Sequence, residues 1–321
     1  MRTALVLGAG GLTGQAFHLG VLTALAERSG FDGRRADVVV GTSAGSLVAA
    51  GLTAGFSAAD QAASLAGEPM SPEGVQLLRS GRARAASLSQ IEAEASASGR
   101  RRPLAPGALL SVARRPWAVR PGAVVSSLLP AGRNTTHGIS RGISHLHGEQ
   151  WPGERLRICA VRARDARRVV FGTPSAPVVD VGTAVAASCA IPGYFSPVLI
   201  DGDAYVDGGG HSPTNADVVR DDEPELVIVS SPMSFGPGAA RSPDAIIRFA
   251  VRRYLAREVR TLRRRGATVL VFQPSPKDLS AMGVNPMKLL RGPEIIRTAA
   301  ETVRARLESR PELLEALSSA T

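Results

Sequence analysis

Val38-Val39-Val40-Gly41-Thr42-Ser43-Ala44-Gly45-Ser46-Leu47-Val48-Ala49-Ala50 is the stretch on which the fold turns. The β-branched run reads as a short buried strand, from Asp37 to Val40, and the small-residue run from Ser46 to Ala54 as a helix. Between them lies a G-x-S-x-G, formed by Gly41, Ser43 and Gly45. A serine on a tight strand-to-helix turn needs small neighbours, because the backbone is strained and the helix must pass close to the strand. Its hydroxyl then projects at the C-terminal end of the strand, near the positive end of the following helix. The pentapeptide alone also fits an ordinary glycine turn, and its flanks favour a nucleophile.

Upstream, Thr3 to Leu7 is an apolar β-type run ended by Gly8-Ala9-Gly10-Gly11-Leu12-Thr13-Gly14. A helix follows from about Gln15 to Arg28, with Leu19, Leu22 and Ala26 on one apolar face. Strands alternating with helices predict an α/β sheet covered on both faces. The glycine loop has three readings. A dinucleotide fingerprint needs a glycine where Thr13 stands, and an acid after the next strand, which instead runs into Ser43. A P-loop needs lysine, and none precedes Lys277. What remains is an oxyanion hole built from glycine amides at a helix start, or a plain tight turn. The nucleophile candidate about 30 residues later favours the former.

A nucleophilic serine needs a base. A Ser-His-Asp triad would have to use His211, which is crowded against Asp201, Asp203 and Asp207. A carboxylate acting directly is more economical. Asp207 follows the strand Ala204-Tyr205-Val206, and Gly208 and Gly209 after it permit close backbone approach. Asp201 and Asp203 read as turn residues of a hairpin spanning Val198 to Val206.

The rest of the chain supplies further strands at Arg155 to Ala163, Arg167 to Thr173, Glu225 to Ser231 and Ala267 to Gln273. Asp244 to Arg265 reads as a basic helix and Gly292 to Ser309 as another. The expectation is one domain over 1–321. Its core comprises about 1–75 and 150–275, with an arginine- and proline-rich insert over 79–149 and a helical tail over 280–321.

Hydrophobic residues make up 44% of the 321, enough to bury a large core and exclude disorder as the main state. Aromatics at 4% argue against a base-stacking nucleic-acid platform. The net charge of +10 comes almost wholly from arginine, through coding bias or through a surface that meets anionic lipid. Arg248, Arg252, Arg253 and Arg257 with Ile246, Ile247, Phe249, Val251, Tyr254 and Leu255 suggest an amphipathic interfacial helix; the alternative is a helix packed on the sheet. Cys159 and Cys189 sit in apolar surroundings without metal-ligand spacing, as buried reduced thiols of a cytoplasmic protein would. The five histidines form no zinc pattern, so neither metal nor cofactor is expected. The uncharged runs 38–59 and 181–200 are broken by glycines or prolines and read as buried core, not membrane spans. No secretory signal is expected from the short apolar run at the start.

Taken together, these segments resemble the patatin-like phospholipase family. The resemblance rests on Gly10-Gly11-Leu12-Thr13-Gly14 with Gly20-Val21-Leu22, on Gly41 to Gly45, and on Asp207-Gly208-Gly209. Ala187-Ser188-Cys189-Ala190-Ile191-Pro192-Gly193-Tyr194-Phe195-Ser196-Pro197 is similar to the family's A-S-x-A-x-P-x-x-F-x-P stretch. The resemblance implies a three-layer α/β/α fold around a mostly parallel sheet. It further implies Ser43 as nucleophile, Asp207 as general base, and the amides of Gly10 and Gly11 as oxyanion donors, with Gly14, Gly41, Gly45, Gly208 and Gly209 in support. The implied activity is hydrolysis of lipid acyl esters, at or near an anionic membrane. An acyltransferase or thioesterase on the same dyad, or an inert lipid-binding module, are the alternatives. Thr13 stands where the family often has arginine, and Ala9 where it often has glycine, which bears on substrate preference and leaves the glycine donors in place.

Overall fold

A computed structural model describes residues 1–88, 120–148, 150–236 and 244–318. Much of the arginine-rich insert, 89–119 and Glu149, lies outside the described residues. The strands are β1 (Thr3–Leu7), β2 (Val38–Thr42), β3 (Leu156–Arg162), β4 (Arg167–Phe171), β5 (Val198–Ile200), β6 (Asp203–Asp207), β7 (Leu226–Ser230) and β8 (Thr268–Phe272). The helices are α1 (Gly11–Ser29), α2 (Ala44–Thr53), α3 (Ala58–Ala66), α4 (Pro72–Leu88), α5 (Pro121–Leu128), α6 (His137–His147) and α7 (Val181–Ser188), followed by α8 (Ala245–Arg264), α9 (Pro276–Met282), α10 (Gly292–Glu308) and α11 (Pro311–Ser318). The α/β class expected from the sequence is what the structure shows. The chain divides into two compact units, Met1–Ser71 with Pro213–Thr321, and Pro72–Ser212.

In the first unit β1 runs parallel to β2 on one side and β7 on the other, and β7 runs parallel to β8. Every residue of β1, β2 and β7 is buried, the pattern of parallel strands covered on both faces. The register pairs Leu7 with both Gly41 and Ser230, so β1, β2 and β7 end side by side. The glycine loop and the Ser43 turn thus leave neighbouring parallel strands at their C-terminal ends, where α/β sheets place their ligands. Helix α1 starts at Gly11, four residues before Gln15, and packs against α10. A Cβ at Gly20 would lie 2.3 Å from the Ile296 carbonyl oxygen, so only glycine lets the two helices approach this closely.

In the second unit β3 pairs antiparallel with β4 and β6, and β6 with β5 through the hairpin at Asp201 and Gly202. The run 181–200 is not one element. Its first part is α7, capped by Asp180, whose Oδ1 accepts from the Thr183 amide at 3.0 Å and the Ser144 hydroxyl of α6 at 2.7 Å. Burial alone would raise the Asp180 carboxyl, but the bonds from Ser144 and Thr183 hold it below its usual value. Cys159 and Cys189 are both buried and unbridged.

Candidate active site

Ser43 connects β2 to α2 with φ 51 and ψ −122, a left-handed conformation that costs a non-glycine residue roughly 1–3 kcal/mol. Two bonds hold it there. The Ser43 carbonyl accepts from the Ser46 amide at 2.8 Å and from the Ser46 hydroxyl at 2.6 Å. A third group, the Asn215 side-chain amide, donates to the Thr42 hydroxyl at 3.1 Å. The motif glycines are required by space. A Cβ at Gly41 would sit 2.4 Å from the Ser46 Cα, and one at Gly45 2.0 Å from the Leu7 carbonyl oxygen. Gly45 therefore presses the start of α2 onto the end of β1. Ser43 itself is 3% exposed, so its hydroxyl meets a ligand in a nearly closed setting.

The glycine loop is fixed from three directions. Gly8 donates to the Ser230 carbonyl at 3.0 Å and Ala9 to the Pro213 carbonyl at 2.6 Å, which spends the first two amides. Thr13 donates to the Pro286 carbonyl at 3.2 Å. Between these anchors lie Gly10, the N-cap of α1, and Gly11 at φ 61. First-turn amides of a helix have no partner within the helix and lie at its positive end, suited to a developing oxyanion. Pro232 packs on Gly10 and Gly14, and Gly14 faces the Ala44 side chain, so the starts of α1 and α2 adjoin. Gly10, Gly11, Gly14, Gly41, Ser43 and Gly45 thus come together within the first unit. Thr13 is 2% exposed and offers no charge there.

Asp207, Gly208 and Gly209 come together in the second unit, at the end of β6. The Asp207 amide donates to the Ala190 carbonyl at 3.0 Å, and its Oδ1 accepts from the Gly209 amide at 2.7 Å. A Cβ at Gly208 would sit 2.1 Å from the Cys159 carbonyl oxygen, which explains the glycine after the aspartate. That same carbonyl accepts from the Ser188 hydroxyl at 2.6 Å. The Ala187–Pro197 stretch is thereby the support of the Asp207 turn. His211 follows in the same short turn, its amide on the Gly208 carbonyl and its own carbonyl accepting from Arg120 at 3.3 Å. Among the described residues no cluster of three or more His, Cys, Asp or Glu side chains is disposed to hold a metal.

One supporting residue escaped the sequence analysis. His18, wholly buried on α1, bonds the Gly8 carbonyl and the Ser230 hydroxyl directly behind the glycine loop. Its signal was available: a lone imidazole inside the apolar run Ala16-Phe17-His18-Leu19 needs internal partners.

No protein of curated function matches the sequence. Among solved structures, the chain is similar to the type III effector ExoU, with 17% identity and a TM-score of 0.39 over 96% of this chain and 53% of that one. It is also similar to VipD from Legionella pneumophila, with 14% identity and a TM-score of 0.42 over 96% of this chain and 67% of that one. The chain thus spans about half the length of ExoU. The family model for patatin-like phospholipases matches residues 5–220, a span that holds the Gly10–Gly14 loop, the Ser43 turn and the Asp207 turn. On that match the chain belongs to the patatin-like phospholipase family.

Proposed function

We propose that this chain is a serine acyl hydrolase of lipid esters. The observation that carries the proposal is the Ser43 turn, strained at φ 51 and set beside the first-turn amides of α1. The Ser43 Oγ attacks the ester carbonyl carbon while Asp207 takes its proton. The carbonyl electrons move onto oxygen, and the amides of Gly10 and Gly11 stabilise that negative charge. Collapse expels the alcohol, which leaves with the proton from Asp207, and the acyl group remains on Ser43. Water then attacks the acyl carbon, passing its proton to Asp207. The free acid leaves and the Ser43 hydroxyl is restored. The chemistry requires neither metal nor cofactor.

The test is product analysis by mass spectrometry on a mixed lipid panel, comparing the parent chain with Ser43→Ala, together with labelling by a fluorophosphonate. Free fatty acid released by the parent alone, and a covalent adduct on Ser43, support the reading. Equal release by both proteins, or a folded parent that resists the probe, overturns it. Acyl transfer to an added alcohol in place of free acid would move the assignment to a transferase on the same serine.

A further inference from the structure

Helix α8 carries a surface that the chemistry above does not use. Its buried side holds Val251, Leu255, Val259 and Leu262, so Val251 and Leu255 pack into the core. Arg248 is buried too, with Nε on Asp244 at 2.6 Å. Outside, Ile246, Ile247 and Phe249 are 87%, 60% and 54% exposed within a single turn. Farther along the same face, at spacings of three and four, stand the exposed Arg253, Arg257, Arg260 and Arg264.

This stripe borders an open groove of about 1350 Å³ between α8, the edge strand β8 and the helices α10 and α11. Leu255, Val259 and Leu270 contribute apolar lining, while Arg260, Arg263, Arg264, Arg306 and Arg310 are among its cations. Glu312 is the one acid among the described residues that line the groove. Arg263 and Arg306 donate to the outward carbonyls of Val269 and Val271, at 3.0 and 2.6 Å, and so also close the sheet edge. Burial, and then the neighbouring Arg310, hold the Arg306 guanidinium below its usual proton affinity.

We propose that α8 is the docking element for an anionic lipid bilayer, with Ile246, Ile247 and Phe249 entering the acyl boundary and the arginines of the stripe and groove holding lipid phosphates. Charge complementarity selects this occupant: large apolar side chains at one end of a helix and arginines along the rest of the same face match a headgroup–acyl boundary. The helix is also fastened to the glycine loop. Arg248 Nη1 donates to the Pro232 carbonyl at 2.7 Å, and Pro232 packs on Gly10. Glu258 accepts from the Thr214 hydroxyl and the Ala216 amide, beside the Pro213 carbonyl that holds Ala9. Docking through α8 therefore fixes the Gly8–Gly11 loop relative to the lipid.

The choice of partner rests on the lipid-ester reading, and the experiment separates the two. Binding is measured by co-sedimentation of the Ser43→Ala chain with vesicles of phosphatidylcholine alone or mixed equally with phosphatidylglycerol. Hydrolysis is measured separately on a short soluble ester with the parent chain. Salt-sensitive binding to the mixed vesicles alone is expected. Arg253→Gln with Arg257→Gln should weaken it about tenfold or more, and Ile246→Ser with Phe249→Ser by a similar factor. All four side chains are exposed, so both double variants should unfold at the parental denaturant midpoint. Equal binding to both vesicles, or double variants that fold and bind like the parent, overturns the proposal. Vesicle binding without ester hydrolysis would leave the docking surface standing and remove the catalytic reading; hydrolysis without vesicle binding would do the reverse.

Discussion

The imidazole of His18 lies 2.8 Å from the carbonyl oxygen of Gly8, the residue that opens the glycine loop. A carbonyl only accepts, so Nε2 carries the proton and donates. The neutral ring's Nδ1 then accepts from the Ser230 hydroxyl at 2.7 Å. One side chain on α1 thereby joins the ends of β1 and β7 behind the loop. Burial drives the His18 pKa from 6.5 to about 4, against the opposing pull of the Gly8 carbonyl.

A pH dependence follows. The folded chain keeps His18 neutral where the unfolded chain would protonate it, so the unfolded state binds more protons between pH 6.5 and 4. The neutral ring's contribution is complete above pH 6.5 and is lost as pH falls towards 4, by about 3 kcal/mol in all. His18→Gln does not titrate and should flatten that part of the profile, at the cost of lower stability at pH 7. Urea midpoints of both proteins across this range provide the check. Parallel profiles would show that His18 is not the group responsible.

The fastenings around the site differ in how far they could be read from the chain. Strands β1, β2 and β7 were legible because a strand buried on both faces is a continuous apolar run. The Ser43 turn was legible because its neighbours must be glycine for space, and the turn at Asp207 because glycines follow it. Hidden were contacts made by backbone carbonyls of distant segments, Pro213, Pro286 and Ser230, since carbonyls carry no sequence signal. Helix α7 was hidden for a different reason: Val181-Gly182-Thr183-Ala184-Val185 is apolar on every side, and a run buried all round has no period to read. Which face of α8 packs on the sheet was not legible, because its exposed end is as apolar as its buried side.

Gly45→Ala tests the pressure of α2 on β1. The added Cβ would meet the Leu7 carbonyl oxygen at 2.0 Å and that of Gly8 at 2.8 Å, both backbone atoms that cannot turn aside. A loss of about 2–3 kcal/mol in unfolding free energy is expected, with most ester hydrolysis lost as Ser43 shifts. Gly142→Ala is the control. Its Cβ would have no neighbour within 4 Å, and it lies inside α6, so a gain of about 0.5–1 kcal/mol is expected. Similar unfolding curves for the two variants would refute the steric account.

Asp207→Asn separates the base from the scaffold. An asparagine Oδ1 still accepts from the Gly209 amide, so the turn should persist and the unfolding midpoint move little. If Asp207 is the base of the proposed mechanism, kcat should fall by about 10²–10⁴. His211→Ala should keep most activity. If the histidine variant is dead and the asparagine variant active, the serine is served by His211 and the dyad assignment is wrong.

The oxyanion assignment is tested by two alanines that obstruct the loop for different reasons. Gly10 has φ 178, open to any residue, so alanine there meets only a steric obstacle: Gly14 Cα at 2.7 Å and Pro232 Cβ at 2.9 Å. Gly11 has φ 61 and its Cβ would lie 2.6 Å from the Pro286 carbonyl oxygen, so alanine there adds backbone strain of roughly 1–2 kcal/mol to a clash with rigid backbone. Both should lower kcat on a short soluble ester by about 10²–10³, because misplaced amides fail the transition state more than the ground state. KM should change far less. Both should lose stability, Gly11→Ala the more because backbone strain adds to its clash, and that variant should also release the Thr13–Pro286 contact beside it. Were Gly10→Ala to fold and retain parental kcat, the oxyanion would have to be held elsewhere, and the loop's role would reduce to packing α1 against Pro232.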